Sequence, residues 1–371
     1  MKSYVILSFL TCTAAAFADT NTTASATNST ETVEASDAAE ESKRNWLVAP
    51  TITSNPAFGN GLGAIGMFFY NPNPADKVSP DSALAGVGLY SDTDSYFLGL
   101  FNRTYLKQDT WRVSGGLING KINNEFSVPD INDTVRFATR INGLFTRVDK
   151  RIKGNWFLGA TAAIFDIRYK EGNDLSKIYF QLYDVQDNLS GQLGLVGMHD
   201  SRDHVRYPEK GNHAEASFTA VPEAFGSEVG YHVSEIFSNQ YKSFFERQVL
   251  ATRAYGRFTP SGTPYSGLST LGRFSDLRGY TSGENVAENL VALQAEYRWF
   301  FTKRFGAVGF AGISELWDGS LKNINSDTFF PSAGVGIRFT LNTENKMNFR
   351  VDYAWGADDE RGLYVGVGEA F

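Results

Sequence analysis

From about Asn45 onward the chain alternates. In the stretch 289–301, NLVALQAEYRWFF, Val291, Leu293, Ala295, Tyr297 and Trp299 share one face, while Ala292, Gln294, Glu296 and Arg298 share the other. In 346–355, KMNFRVDYAW, Met347, Phe349, Val351, Tyr353 and Trp355 alternate with Asn348, Arg350, Asp352 and Ala354. The last ten residues place Leu363, Val365, Val367 and Phe371 on one side and Gly366, Gly368 and Ala370 on the other. A period of two is the pattern of a strand with unlike faces. Half-buried strands of water-soluble proteins alternate too, but two features turn these strands towards lipid. Their apolar faces are long and end in Tyr or Trp, whose rings suit a membrane interface. Their opposite faces carry charges, which predicts a polar inside and an apolar outside. A bilayer leaves no room for an open sheet edge, so the sheet must close.

Sixteen such segments run from residue 46 to residue 371, the fifth over 109–120, the sixth over 134–150 and the last over 361–371. The predicted fold is therefore all-β: a transmembrane antiparallel β-barrel of 16 strands. Short connections such as LKQDT, KRIKGN, FTKRF and NTENK fall at one end, and the long polar connections 170–188, 260–288 and 318–329 at the other. No helical domain and no repeat of 20–50 residues is visible.

Composition agrees with this picture. The 371 residues include 29 Phe, 17 Tyr and 36 Gly, and the mean hydropathy is only −0.26. Many aromatics and glycines at modest hydropathy suit short alternating strands. The net charge of −7 and the absence of a basic stripe exclude nucleic acid as the main partner. Residues 1–18 read as a signal peptide, with Lys2, the apolar run YVILSFLTCTAAAF and the small-residue site AFA before Asp19. The one cysteine, Cys12, falls inside it; Phe9 and Thr11 are poor neighbours for a lipid attachment there. The mature chain is then expected to hold no disulfide and no thiolate-bound metal. Residues 19–44, rich in Thr, Ser, Ala and Glu, read as a disordered linker. The barrel is expected over 45–371.

The loop 260–288 contains Leu277-Arg278-Gly279-Tyr280. Residues 200–211, DSRDHVRYPEKG, carry Asp200, Arg202, Asp203, Pro208 and Gly211; AEYRW lies at 295–299, and the chain ends in Phe371. Together these resemble the BamA/TamA type of outer-membrane barrel, the bacterial surface antigen family. The match is good over 190–371 and rests on pattern alone before that. The resemblance implies that the loop before strand 12 folds into the lumen, that Arg278 meets an acid on the inner wall, that 200–211 forms a periplasmic turn, and that Phe371 belongs to a C-terminal assembly signal. A guanidinium can hold a carboxylate through two parallel charge-assisted hydrogen bonds, and Gly279 permits a close turn. Glu296, on the polar face of strand 12, is the expected partner. The alternative for the tetrapeptide alone is an Arg-Gly loop in solvent.

The chain departs from the family pattern in three places. Strand 13 carries Gly312 and Ser314 where the family places a second acid, and Glu315 has the opposite parity, so Arg278 is expected to rest on Glu296 alone. Glu369 replaces an aromatic residue near the end and is expected on the lipid face near the rim. The linker is too short for the periplasmic POTRA domains of the family's assembly members, so a barrel-only member is expected.

His199 and His204 flank the Asp-rich turn, but their spacing matches no standard zinc pattern. No Gly-x-Ser-x-Gly motif or other catalytic set is present, and no metal, cofactor or enzymatic activity is expected. Two functions fit. One is assistance to insertion or translocation of proteins at the outer membrane of a Gram-negative bacterium, through a weak seam between the first and last strands. Its partners would be outer-membrane lipids, unfolded outer-membrane protein clients, and the assembly machinery during the chain's own insertion. The other is a small-solute channel plugged by the loop and Arg278. A membrane lipase or a secreted soluble β-protein fits less well.

Overall fold

In the computed structural model the described residues are 45–55, 59–128, 133–183, 185–205, 207–272, 277–280, 285–324, 328–342, 347–357 and 360–371. The expected signal segment with Cys12 and the expected linker lie outside them.

Sixteen strands close into one antiparallel barrel in which each strand pairs with its neighbours in sequence. They are β1 (Trp46–Asn55), β2 (Gly59–Tyr70), β3 (Ser82–Ser91), β4 (Tyr96–Leu106), β5 (Trp111–Val128), β6 (Asp133–Lys153), β7 (Trp156–Glu171) and β8 (Asn188–Asp200). The second half is β9 (Gly211–Val221), β10 (Tyr231–Phe245), β11 (Gln248–Phe258), β12 (Asn289–Phe300), β13 (Phe305–Trp317), β14 (Phe329–Asn342), β15 (Met347–Trp355) and β16 (Arg361–Val367). Alternation makes these strands. Along β12 every second side chain from Val291 to Trp299 is exposed on the outer wall, and every one between them is buried on the inner wall.

The barrel is uneven. β5 and β6 pair from Trp111↔Lys150 to Val128↔Asp133. Among the described residues, β1 and β16 form ladder pairs only at Thr53↔Tyr364 and Ser54↔Leu363, with the Thr51 hydroxyl donating to the Val365 carbonyl at 3.5 Å beside them. β5 and β6 outrun the 109–120 and 134–150 segments read from the sequence, whereas β16 stops at Val367 rather than at residue 371. Gly368 is the reason: its φ of +90° ends the strand, and its N–H donates to the Asn348 carbonyl at 2.7 Å.

The inner wall also departs from the expected polar lining. On β3 to β7, Val87, Phe97, Phe101, Ile118, Ile122, Ile141 and Ile167 point inward and bury one another. Apolar side chains are stable facing inward there because they cover each other and exclude water. The same strands also bury the charged Arg103, Arg112 and Asp149, and the larger charged cluster belongs to the other half.

Connections at the end carrying both termini are mostly tight turns, but 71–81 and 201–210 are longer. The opposite end carries more. The connection after β7, read from the sequence as long and polar, contains α1 (Asp174–Tyr183). Asn173 caps it, its side-chain carbonyl accepting from the Ser176 N–H at 3.0 Å. Tyr179 of α1 packs on Val135 and Phe137, with Tyr265 and Val286 of the long loop against the same cluster. The long loop itself is braced by a two-residue ladder, Ser269–Thr270 against Val286–Ala287.

Candidate functional site

Leu277 is sequestered with Leu271, Leu290, Ala292 and Leu316, which brings the residue after it under the inner faces of β12 to β15. Arg278 reaches two carboxylates. Its Nη2 is 2.6 Å from Glu296 Oε2 on β12, and its Nη1 is 2.6 Å from Asp352 Oδ2 on β15. The guanidinium carbon lies 3.4 Å from the centroid of the Phe310 ring on β13. Each of the two terminal nitrogens therefore has its own acid, and the cation's flat face rests on an aromatic ring.

Gly279 is required where it stands. Its φ is +106°, and a Cβ there would fall 2.9 Å from the Trp355 carbonyl carbon. Its N–H donates to the Tyr364 hydroxyl at 2.8 Å, so the loop touches the last strand. The Ser332 hydroxyl donates to the Arg278 carbonyl. Tyr280 donates its O–H to the Pro331 carbonyl and accepts from the Ala357 N–H at 3.0 Å. Its ring stands edge-on to Phe330, centroids 5.6 Å apart.

Beyond Arg278 the charges continue in alternation. Glu296 Oε1 accepts from Arg298 Nε at 2.7 Å. Asp352 Oδ1 accepts from Arg338 Nη1 at 2.5 Å, and Arg338 Nε donates to Glu369 Oε2 at 2.8 Å. Arg298 lies 3.6 Å from Glu369 and donates from Nη2 to the Phe371 carbonyl at 2.7 Å. Three arginines thus alternate with three acids, all with side chains at most 5% exposed.

Three expectations are corrected here. Arg278 does not rest on Glu296 alone: the second acid is Asp352, supplied from β15 across the lumen rather than from strand 13. Glu369 is not on the lipid face. It points inward, held by Arg338 and by Asn348 Nδ2 at 2.7 Å, because the chain turns at Gly368. Phe371 likewise leaves the outer wall and packs beside Tyr207, Tyr241 and Phe300. Arg298 and Asp352 were visible as polar members of alternating strands, but nothing in the sequence said that they share one cluster or that Arg338 joins it.

The Asp200 turn forms a second buried cluster. Asp200 accepts from Arg202 Nε at 2.8 Å and from Arg112 Nη1 at 2.8 Å. Arg112 also pairs with Asp109 at 2.8 Å, which pairs in turn with Arg151. Asp203 Oδ1 accepts from the N–H groups of His204, Glu209 and Lys210. Pro208 is buried. Gly211 has φ +104°, and a Cβ there would sit 2.2 Å from the Ser201 carbonyl oxygen. The ring of His199 lies 4.9 Å from that of Trp156 and meets Asn212 Oδ1 at 3.0 Å.

The connection 71–81 is tied to its neighbour by Asp76. Its carboxylate accepts from the Val78, Ser79 and Gln108 N–H groups and from the Ser79 hydroxyl. These donors hold its pKa well below the usual carboxylate range, the Ser79 amide contributing most.

Comparison with known proteins follows the same outline. The Omp85 superfamily domain matches residues 80–371. No curated protein matches the chain. Among solved structures, BamA from Haemophilus ducreyi lacking POTRA domains 1–3 is 14% identical, with 87% of this chain and 70% of that one covered and a TM-score of 0.56. CdiB from Escherichia coli is 13% identical, over 86% and 61%, with a TM-score of 0.59. CdiB from Acinetobacter baumannii is 11% identical, over 87% and 59%, with a TM-score of 0.55. The chain spans less than two thirds of either CdiB, and these likenesses concern the fold.

Proposed function

The chain belongs to the Omp85 superfamily, whose barrels lie in the Gram-negative outer membrane, and on that premise we propose that it assists insertion or translocation of proteins there. The observation that carries this reading is the β1–β16 seam, held by two residue pairs. The backbones of Trp46 to Ile52 of β1 form ladder pairs with β2 but with no described residue of β16, which Thr51 reaches only through its hydroxyl, on the Val365 carbonyl at 3.5 Å. An unpaired strand edge is a template for another strand. An unfolded outer-membrane protein is a client of matching chemistry.

In this reading Arg278, with Leu277, Gly279 and Tyr280, is a lumen latch between Glu296 and Asp352. It also braces β16 through Tyr364. The Asp200 turn faces the periplasm with both termini. Phe371 serves the chain's own assembly before folding tucks it inward. Residues 1–18 are the export signal and 19–44 a linker.

The test uses the full chain in liposomes and an unfolded outer-membrane barrel added from outside. Faster folding of the added barrel is expected, and a Ser54→Cys/Leu363→Cys disulfide across the seam should remove the acceleration until reduced. Equal rates with and without the protein would overturn the proposal. The second reading, a plugged channel, is favoured by α1 and the long loop meeting over the far end.

A further inference from the structure

We infer that the turns at the end carrying the termini form a cationic collar that binds anionic phospholipid headgroups. The chain as a whole is acidic, at −7, yet these turns are not. Lys150 and Lys153 at the end of β6, Lys242 and Arg247 around the β10–β11 turn, and Lys303 and Arg304 between β12 and β13 are all exposed. The exposed carboxylates described among the turns at this end are Asp81 and Glu246. Asp76, Asp109, Asp149 and Asp200 at the same end are buried, the last three being paired with arginines.

The collar sits where a headgroup layer would be. Lys150 and Lys242 have the outward parity of their strands, β6 and β10. Exposed aromatic side chains are interleaved with the cations: Trp156, Phe244, Phe245, Phe301 and Phe305. Lys150 Nζ lies 5.3 Å from the centroid of the Trp111 ring, and Lys242 Nζ lies 5.1 Å from that of Phe244. Aromatic rings settle at the membrane interface, and lysine stems run along apolar wall while the ammonium reaches the headgroups. The cations are also spread from β6 round to β13 instead of gathered in one patch, and the apolar wall continues directly from them. That distribution fits a lipid leaflet better than an acidic protein, which would meet one contiguous face. Each surface cation favours an anionic over a neutral membrane by about fivefold.

The inference rests on the barrel lying in a membrane, and the test separates the two. The full chain is reconstituted in nanodiscs of phosphatidylcholine, or of phosphatidylcholine partly replaced by phosphatidylglycerol. The unfolding midpoint is read from heat-modified gel migration at low and high salt. The expected result is a higher midpoint with phosphatidylglycerol, shrinking as salt screens the collar. The variant K150Q/K153Q/K242Q/R247Q/K303Q/R304Q should keep its midpoint in phosphatidylcholine and lose the increment. A set in which the four lysines become arginine should keep it. An equal increment in the glutamine variant, or none in the wild type, would overturn the inference. Stabilisation by polyglutamate or inorganic phosphate, with none by phosphatidylglycerol, would overturn it in favour of an acidic partner or a free anion. A chain that inserts in neither disc shows no heat-modified band, and then the membrane reading itself has failed.

Discussion

Arg278 is held by two acids on different strands, so its removal affects more than the loop. Breaking a buried ion pair costs on the order of 3–5 kcal/mol, because the abandoned charge stays buried. In Arg278→Ala the acids keep partners, Glu296 with Arg298 and Asp352 with Arg338, so the loss should fall at the low end. It should appear in the loop: protease cleavage within 265–285 should rise while the barrel stays inserted. Glu296→Gln should reproduce this, and the double variant should be sub-additive. Unchanged cleavage in Arg278→Ala would sink the latch, and additive effects would move its weight to Asp352. Arg278→Lys keeps the charge but cannot serve both acids in this geometry, and should fall between. Glu296 was legible in the sequence because it shares a strand face with Arg298 close to the tetrapeptide. Asp352 has equally clear parity, yet its partner is 74 residues away, and only barrel closure brings them together. Asp76 offers a test outside the strands. Its pKa is depressed in the folded chain, so its contribution is complete above the unfolded value of about 3.9 and fades as pH falls towards the folded one. The protection of the Ser79 and Gln108 amides, taken relative to their intrinsic exchange rate at each pH, should therefore fall in strong acid, and should already be lost at neutral pH in Asp76→Asn. Equal exchange in variant and wild type at pH 7 would refute that role.

Among the elements, β16 governs the seam. It has seven residues, and the tail beyond Gly368 is fastened inward by Glu369 and Phe371. A tail held in the lumen keeps β16 from running beyond Val367, but the ladder to β1 already ends at Thr53↔Tyr364, before Val365, Gly366 and Val367, where Pro50 of β1 has no N–H to offer. Glu369→Gln weakens the grip of Arg338 and leaves that buried cation short of one partner. Lower heat stability is expected, together with faster amide exchange in β16 than in β12. A variant indistinguishable from wild type in both would mean that the tail does not set the seam. The strands were legible because period two is a strong local signal, and β12 follows it over its whole length. The end of β16 was not, since alternation runs on past Gly368 to Phe371 and a single positive φ breaks it. Helix α1 was hidden for a different reason. Its ten residues sit in a polar connection, and their apolar members gain meaning only against Val135 and Phe137 of a distant strand.

For the molecule as a whole, the question is whether the lumen is a path or a filled support. On one side Phe97, Phe101, Ile118 and their neighbours pack against each other. On the other the alternating charges of Arg278, Glu296, Arg298, Arg338, Asp352 and Glu369 occupy the space. Over the far end α1 meets the long loop. A pore needs a continuous wet passage, and such a passage would have to run past the Arg278 bridge between β12 and β15 and past the contact of α1 with the long loop. The wild-type chain in a planar bilayer should therefore carry little steady current. Arg278→Ala removes the group that fixes the loop to two walls and should produce intermittent openings. The seam disulfide should leave the current low and still block the folding of added barrels. These outcomes divide the two readings. Steady current in the wild type would mean that the lumen opens without losing its latch, and the channel would become the primary activity. Low current together with seam-dependent folding of clients would mean that the filled lumen stiffens the wall, so that strain concentrates at the two-pair seam where a new strand can enter.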